Sequence, residues 1–452
     1  MKRLATLALA ISAALPASAA PISILFVGNS YTFGRLDPVL TYNAANVRDL
    51  TKPQGPLVVG STAATPKFSD VTGTNSYGPG MINPTTGVQG NSYSPHSQTQ
   101  GWGGVPGIFK QLTVQAGLDY DVALSTRNAA SLRGHFLNTA NSTNWDLRGN
   151  ISSQSWDKMV LQEQSDEALG PQTVNGVALG YNYPAVQAYV NLIENWVHQG
   201  SALSYRERDM YTAIHGSQAN CVAAGGTTSS CNNNTLRTIP NNTNFSAATE
   251  IYLQQTWARP NLINAPGRPT IDGATGDATY NLASPVPSYF STLEAMTADM
   301  TTGMTNVANF ADDDGTSGIK GIIPVGQAFL TAVQAGLATR DMYASDALTD
   351  DLIDLWFNDG THASVAGSYL SALTNFGSIT GLDPAMFGAN ERAARDLGLT
   401  GQEAWLLQRV ASVQLGFRNE IPEPDSLALV ALGLLGVAGL QRRAAPAKAL
   451  RT

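Results

Sequence analysis

Five short runs of apolar and β-branched residues, Ile22–Val27, Asp121–Ser125, Lys158–Leu161, Glu250–Leu253 and Gly318–Val325, recur along the chain with helical patterns between them. This rhythm restricts the fold more than any other feature, because parallel strands can be joined only by crossovers long enough to hold a helix. The helix after the third run is explicit: Val186, Tyr189, Val190, Ile193 and Val197 recur at helical spacing, with Pro184 near its start. Met296, Met300, Met304 and Val307 mark another. That methionine stripe reads as core packing, not as a cofactor box. The expected class is therefore α/β, with helices packed on a parallel sheet.

Two stretches interrupt the rhythm. Residues 51–107 are rich in Gly, Pro, Ser and Thr, and residues 216–248 contain Asn232, Asn233 and Asn234 together with both cysteines. Loops this long in a compact domain tend to be functional or disordered. They are expected as insertions around one domain of residues 20–400, followed by a linker over 401–420. Tyr93, His96 and Trp102 fit either a carbohydrate-facing rim or ordinary loop packing, the simpler reading.

Composition agrees with an exported chain. Only 13% of the residues are charged, about half the usual share, and 43 Gly and 23 Pro help make up the difference. A net charge of −8 with no basic block excludes a nucleic-acid partner. Cys221 and Cys231 flank a Gly/Thr/Ser-rich stretch. In an exported protein a local disulfide is the default, and without a nearby His pair the two thiols complete no tetrahedral metal site.

Both ends carry addresses. Residues 1–19 have Lys2 and Arg3, an apolar run from Leu4 to Leu15, and Ala17-Ser18-Ala19, the pattern of a signal peptide cut by signal peptidase. Near the other end stand Pro422-Glu423-Pro424, an apolar run from Leu427 to Leu440, and Arg442-Arg443. Those 14 residues would span about 21 Å as a helix, short of the roughly 30 Å hydrocarbon layer, so the run reads as a weak, transient membrane anchor. Residues 421–445 resemble the PEP-CTERM sorting signal. The resemblance implies a Gram-negative, exopolysaccharide-producing host, recognition by an exosortase, and removal of a short transmembrane helix before release to the cell surface or extracellular matrix.

The chemistry-bearing residues lie at opposite ends of the domain. The first run leads into Gly28-Asn29-Ser30-Tyr31-Thr32, which sets Ser30 at the carboxyl edge of the sheet, where open α/β folds bind their ligands. Far along the chain, Asn358-Asp359-Gly360-Thr361-His362 precedes a helix-like run over Ala363–Leu373. Asp359 and His362, three apart, can share one turn, so that the carboxylate orients the imidazole and the imidazole acts as base toward a serine. His135, His198 and His215 have no such context and read as surface or hydrogen-bonded structural residues.

The order Ser…Asp…His, with the last two close together, resembles the SGNH (GDSL-like) hydrolases. The match runs with gaps from about residue 22 to 375 and includes Ser131-Leu132-Arg133-Gly134-His135, Trp156-Asp157 through Gln162-Glu163-Gln164-Ser165, Gln254-Gln255-Thr256-Trp257-Ala258 and Ile323-Pro324-Val325-Gly326-Gln327-Ala328. It implies a three-layer α/β/α sandwich on a flavodoxin-like, five-stranded parallel sheet, with no metal or organic cofactor. Ser30 matches the nucleophile, and Asp359 and His362 match the D-x-x-H pair. For the oxyanion hole the resemblance implies the Ser30 N–H, the Ser131 N–H where the family has a glycine, and Gln164 where it has an Asn, with Gln162 as competitor; this places the chain in a branch with Gln in the third block. The implied activity is that of a serine esterase acting on a small ester or an acylated carbohydrate, acetyl esters of exopolysaccharide above all. The competing expectation is a noncatalytic matrix or carbohydrate-binding protein on the same scaffold.

Overall fold

Ile22–Gly28 (β1) lies in the middle of a six-stranded sheet. The other strands are Arg48–Asp49 (β2), Tyr120–Thr126 (β3), Lys158–Gln162 (β4), Glu250–Gln255 (β5) and Gly321–Pro324 (β6). The spatial order is β6-β5-β4-β1-β3-β2, and every pairing is parallel. The computed structural model describes residues 20–34, 38–50, 102–127, 129–137, 146–164, 166–179, 182–271, 278–281, 283 and 286–421. The expected signal peptide, Tyr93 and His96 within the 51–107 stretch, and the tail from Pro422 with its apolar run lie outside the described residues.

Alternation along β1 builds the layers. Ile24 and Phe26 point into one hydrophobic cluster, and Leu25 and Val27 point into the other. The same split recurs in β3, β4 and β5, with Val122, Val160 and Tyr252 on one face and Ala123, Leu161 and Leu253 on the other. A strand whose alternate residues enter two cores is buried on both faces, as parallel strands require. Helices Gly104–Gln115 (α1), Val325–Gln334 (α2), Val365–Thr380 (α3) and Gly401–Gln414 (α4) cover the first face. On the second, Tyr183–Gln199 packs with Leu132–Leu137. The fold is thus an α/β/α sandwich. Met296 and Met300 of the helix Leu293–Asp312 are fully covered, as core packing requires.

Four expectations change. The sheet has a sixth strand, the edge pair Arg48–Asp49, held by Arg48 on Asp121 at 2.6 Å and by the Arg48 guanidinium over the Trp156 ring. Two residues carry no periodicity, so the sequence could not announce them. Residues 216–248 are structured: helices Gln218–Ala223 and Thr228–Cys231 are joined by the Cys221–Cys231 disulfide, and Leu236–Ile239 pairs antiparallel with Leu203–Arg206. The other supposed insertion ends earlier than residue 107, because α1 starts at Gly104. Trp102 packs inside, its ring 4.5 Å from that of Phe33.

The expected linker over 401–420 is part of the domain. Thr400 and Glu403 form a reciprocal capping box, and α4 buries Leu407, Val410 and Ala411 against the core. Beyond it Arg418 binds Asp383 at 3.0 Å, and Ile421 packs on the core. Among the described residues no helix is long and apolar enough to cross a membrane.

Candidate active site

The chain builds β1, β2 and β3 on one side of the sheet and then returns to place β4 on the other side of β1. Such a reversal opens a crevice at the carboxyl ends of the strands. Ser30 stands there, directly after β1, as the first residue of the one-turn helix Ser30–Phe33. Asn29 caps that turn through its side chain, which accepts from the Tyr31 N–H at 3.1 Å and donates to the Ala130 carbonyl at 3.2 Å. Gly28 has no alternative: a Cβ there would lie 2.3 Å from the Thr32 hydroxyl and 2.5 Å from the Gln162 side-chain oxygen.

The partner loop comes from residues 356–363. Trp356 bridges Ala363, and the Phe357 N–H donates to the His362 carbonyl at 2.7 Å, with a turn through Gly360 between them. Gly360 has φ of 65°, and a Cβ would sit 2.1 Å from the Tyr343 hydroxyl, so both conformation and contact demand glycine. Asp359 Oδ1 accepts from the Thr361 and His362 N–H groups, each at 2.9 Å. Its Oδ2 lies 2.7 Å from His362 Nδ1, and His362 Nε2 lies 2.9 Å from Ser30 Oγ. With the imidazole proton on Nδ1 facing the carboxylate, Nε2 offers its lone pair to the serine hydroxyl. Three residues expected to work together are therefore connected in series.

Aromatic rings hold this relay in place. Tyr31 meets the His362 ring edge-on at 5.4 Å and packs on Trp257 at 4.8 Å, and Trp257 stacks on Phe329 at 4.9 Å. The Trp257 indole donates to the Thr361 carbonyl, and the Trp356 indole to the Ala258 carbonyl, both at 2.9 Å. The segment after β5 thus grips the histidine loop at two points.

The two glutamines of the third block differ in their surroundings. Gln162, fully buried, accepts with Oε1 from the Asn29 N–H at 2.9 Å and the Thr32 hydroxyl at 2.8 Å, and donates with Nε2 to the Glu163 carbonyl at 2.6 Å. It is a strut beneath the nucleophile turn. The Gln164 side-chain amide and the N–H groups of Ser30 and Ser131 have no hydrogen-bond partner among the described residues. The Ser131 side chain caps the Gly134 N–H at 3.1 Å.

Two structural contributors gave no motif signal. Glu163 accepts from the Leu132 N–H at 2.8 Å and the Gln164 N–H at 2.9 Å, which joins the second and third blocks. Burial, reinforced by the Glu167 carboxylate, holds its pKa well above the usual range, and burial together with Asp166 raises Glu167 to about 7. Asp166 itself binds Arg259 at 2.9 Å, both side chains largely covered. Burial works against the Arg259 charge, but Tyr31, Asp166 and Asp359 outweigh it and raise its pKa. Its Nε also donates to Asn261 Oδ1 at 3.2 Å, and the Asn261 N–H donates to the Gly360 carbonyl at 3.2 Å. An ion pair near an aromatic strand end could have been suspected from Trp257-Ala258-Arg259, but its acidic partner 93 positions earlier could not.

The other described histidines, His135, His198 and His215, lie outside the relay. His135 is fully buried, with Nε2 at 2.9 Å from the Gly28 carbonyl, and burial lowers its pKa to about 4. Neutral at ordinary pH, it donates from Nε2 and ties the second block to the nucleophile turn. For His198, burial opposes the charge, but Glu194 and the Thr249 carbonyl raise its pKa. His215 carries a pKa lowered by burial. Among the described residues no cluster of His, Cys, Asp and Glu could hold a metal ion.

Residues 420–443 match the PEP-CTERM protein-sorting motif. That motif implies export, recognition by an exosortase, and placement at the cell surface or outside a Gram-negative cell. No curated protein matches the chain. Among solved structures, a DUF4886 family protein from Bacteroides uniformis is 12% identical, covering 90% of this chain and 98% of its own, with a TM-score of 0.39. A provisionally assigned SGNH hydrolase from Slackia heliotrinireducens is 14% identical, covering 80% of this chain and 100% of its own, with a TM-score of 0.31.

Proposed function

We propose that the protein is an exported serine ester hydrolase of the SGNH type. The observation that carries this reading is the continuous relay from Asp359 through His362 to Ser30, at 2.7 and 2.9 Å, at the carboxyl edge of a parallel sheet. Ser30 Oγ attacks the ester carbonyl as His362 Nε2 takes its proton, and Asp359 stabilises the imidazolium. The tetrahedral intermediate then breaks its carbon–oxygen bond to the alcohol, which leaves with the proton from His362. Water repeats the sequence on the acyl-serine and releases the carboxylic acid.

The developing oxyanion needs preorganised donors. The unengaged N–H groups of Ser30 and Ser131 and the Gln164 amide support an oxyanion hole of the expected composition. Gln162 is spoken for by the Asn29, Thr32 and Glu163 bonds, which favours Gln164 over it. The export signal and the sparsely charged chain support acyl groups on extracellular carbohydrate as substrate, acetyl esters first.

The test treats the mature protein with a fluorophosphonate probe and assays p-nitrophenyl acetate. Labelling and turnover are expected in the native chain and absent from Ser30→Ala and His362→Ala. Labelling that survives Ser30→Ala, or an inert native chain, would reject the reading in favour of a noncatalytic scaffold.

A further inference from the structure

A cavity of about 330 Å³ opens beside the histidine loop, between the segment after β5, the start of the helix Leu293–Asp312 and the turn after α2. Its volume is within the range of small-ligand sites. Tyr343 is shared with the histidine loop: it lines the cavity, and its hydroxyl lies against Gly360. Tyr280 backs that wall, its ring 5.4 Å from Tyr343 and its hydroxyl bonded to the Asn358 carbonyl at 2.7 Å.

The lining selects a chemical class. Phe290 and the Tyr343 ring give an apolar floor and wall, while Asn264, Ser291 and Asp341 stand exposed at the rim. The side chains of Asn264 and Ser291 have no hydrogen-bond partner among the described residues. Arg340 binds Glu294 at 2.8 Å, and one Asp341 oxygen accepts the Tyr343 N–H at 3.0 Å while the carboxylate stands exposed. An anion would face the Asp341 carboxylate, and an acyl chain would make no use of the rim amide, hydroxyl and carboxylate, which can all bond to hydroxyls. A neutral ring with an apolar C–H face and a periphery of hydroxyls satisfies both surfaces.

We propose that this cavity is a sugar-binding site that holds a neutral pyranose residue of a carbohydrate chain next to the catalytic loop. The proposal rests on the ester-hydrolase reading and extends it, because Tyr343 is shared between this cavity and the loop that carries Asp359 and His362. Binding itself needs no chemistry, so the two ideas fail separately.

The experiment measures binding of xylobiose, cellobiose and mannobiose by titration calorimetry to the native chain, Ser291→Trp and Asn264→Ala, with p-nitrophenyl acetate turnover as a parallel assay. Ser291 is exposed at the rim, so a tryptophan there fills the opening without entering the core. The expected result is binding of at least one disaccharide, weakened about tenfold by Ser291→Trp, equivalent to ~1.4 kcal/mol, and less by Asn264→Ala, with acetate turnover within about twofold of native. No disaccharide binding, or binding indifferent to Ser291→Trp, overturns the sugar site. Absent turnover with binding retained overturns only the esterase reading.

Discussion

Gln162 reaches across the sheet to accept the Asn29 N–H at 2.9 Å, so the residue before the candidate nucleophile is fixed by a side chain from the neighbouring strand. The same oxygen takes the Thr32 hydroxyl. Replacing Gln162 with Ala leaves two buried donors unpaired, at about 1–3 kcal/mol each. Thermal unfolding should show a lowered midpoint, and p-nitrophenyl acetate turnover should fall at least tenfold, whereas Gln164→Ala should lower kcat with little change in the midpoint. Equal midpoints in both variants would remove the strut.

Asp359→Asn keeps the size of the side chain and removes the carboxylate that faces His362 Nδ1. The amide can turn its NH₂ toward the imidazole and force the proton onto Nε2, where it blocks acceptance from Ser30. A loss on the order of 10³–10⁴ in kcat is expected, with an unchanged circular-dichroism spectrum. Activity within tenfold of native would dismiss the relay.

His135 gives a pH signature. Its folded pKa of about 4 is below the unfolded value of about 6.5, so the unfolded chain binds the extra proton between those values. Its contribution is fully present above pH ~6.5 and is lost as pH falls toward ~4, up to about 3 kcal/mol. Glu167, raised to about 7, pulls the opposite way, being lost as pH rises, which is why the comparison must be with His135→Gln. The stability advantage of the native chain over that variant should shrink between pH 6.5 and 4 in urea titrations; a constant difference would contradict a buried neutral imidazole.

Arg259→Met strips the partner from a largely covered Asp166. A cost of about 3 kcal/mol is expected in denaturant unfolding, together with reduced kcat, because Asn261 loses its tie and holds Gly360 less firmly. Arg259→Met combined with Asp166→Leu should recover most of the stability. If the double variant is as unstable as the single one, the pair is not what Arg259 supplies.

Cys221 and Cys231 close a short loop around Gly226, whose added Cβ would lie 2.3 Å from the Cys231 sulfur. Replacing both with Ala should cost about 2–3 kcal/mol and leave ester turnover nearly unchanged, since the loop packs on the helix Glu207–His215, away from the relay.

What the sequence disclosed follows from the range of its signals. Strands β1, β3, β4, β5 and β6 were legible because alternate burial in two cores demands unbroken apolar runs. Ser30, Asp359 and His362 could be singled out because the first follows a strand and the other two, three apart, lie in the loop before a helix. The different bonding of Gln162 and Gln164 was not legible, since two residues apart at one strand end they differ only in which way the chain bends after β4. Glu163 and Arg259 were hidden for another reason: their partners, Leu132 and Asp166, lie far away in sequence. Helix α4 carries its own signal in the Thr400 and Glu403 capping box, but the core that Leu407, Val410 and Ala411 enter is built by residues far away in sequence, so its packing cannot be read locally.

The close of the domain overlaps the start of the sorting motif. Arg418 is pinned to Asp383 and Ile421 rests on the core, so the folded surface extends to the residue before Pro422. Were residues 415–421 to peel away and stretch fully, they would reach only about 24 Å at ~3.4 Å per residue. The sorting motif, matched from residue 420, therefore begins on the folded body itself, and an exosortase that recognises it must approach the surface formed around Asp383 and Arg418.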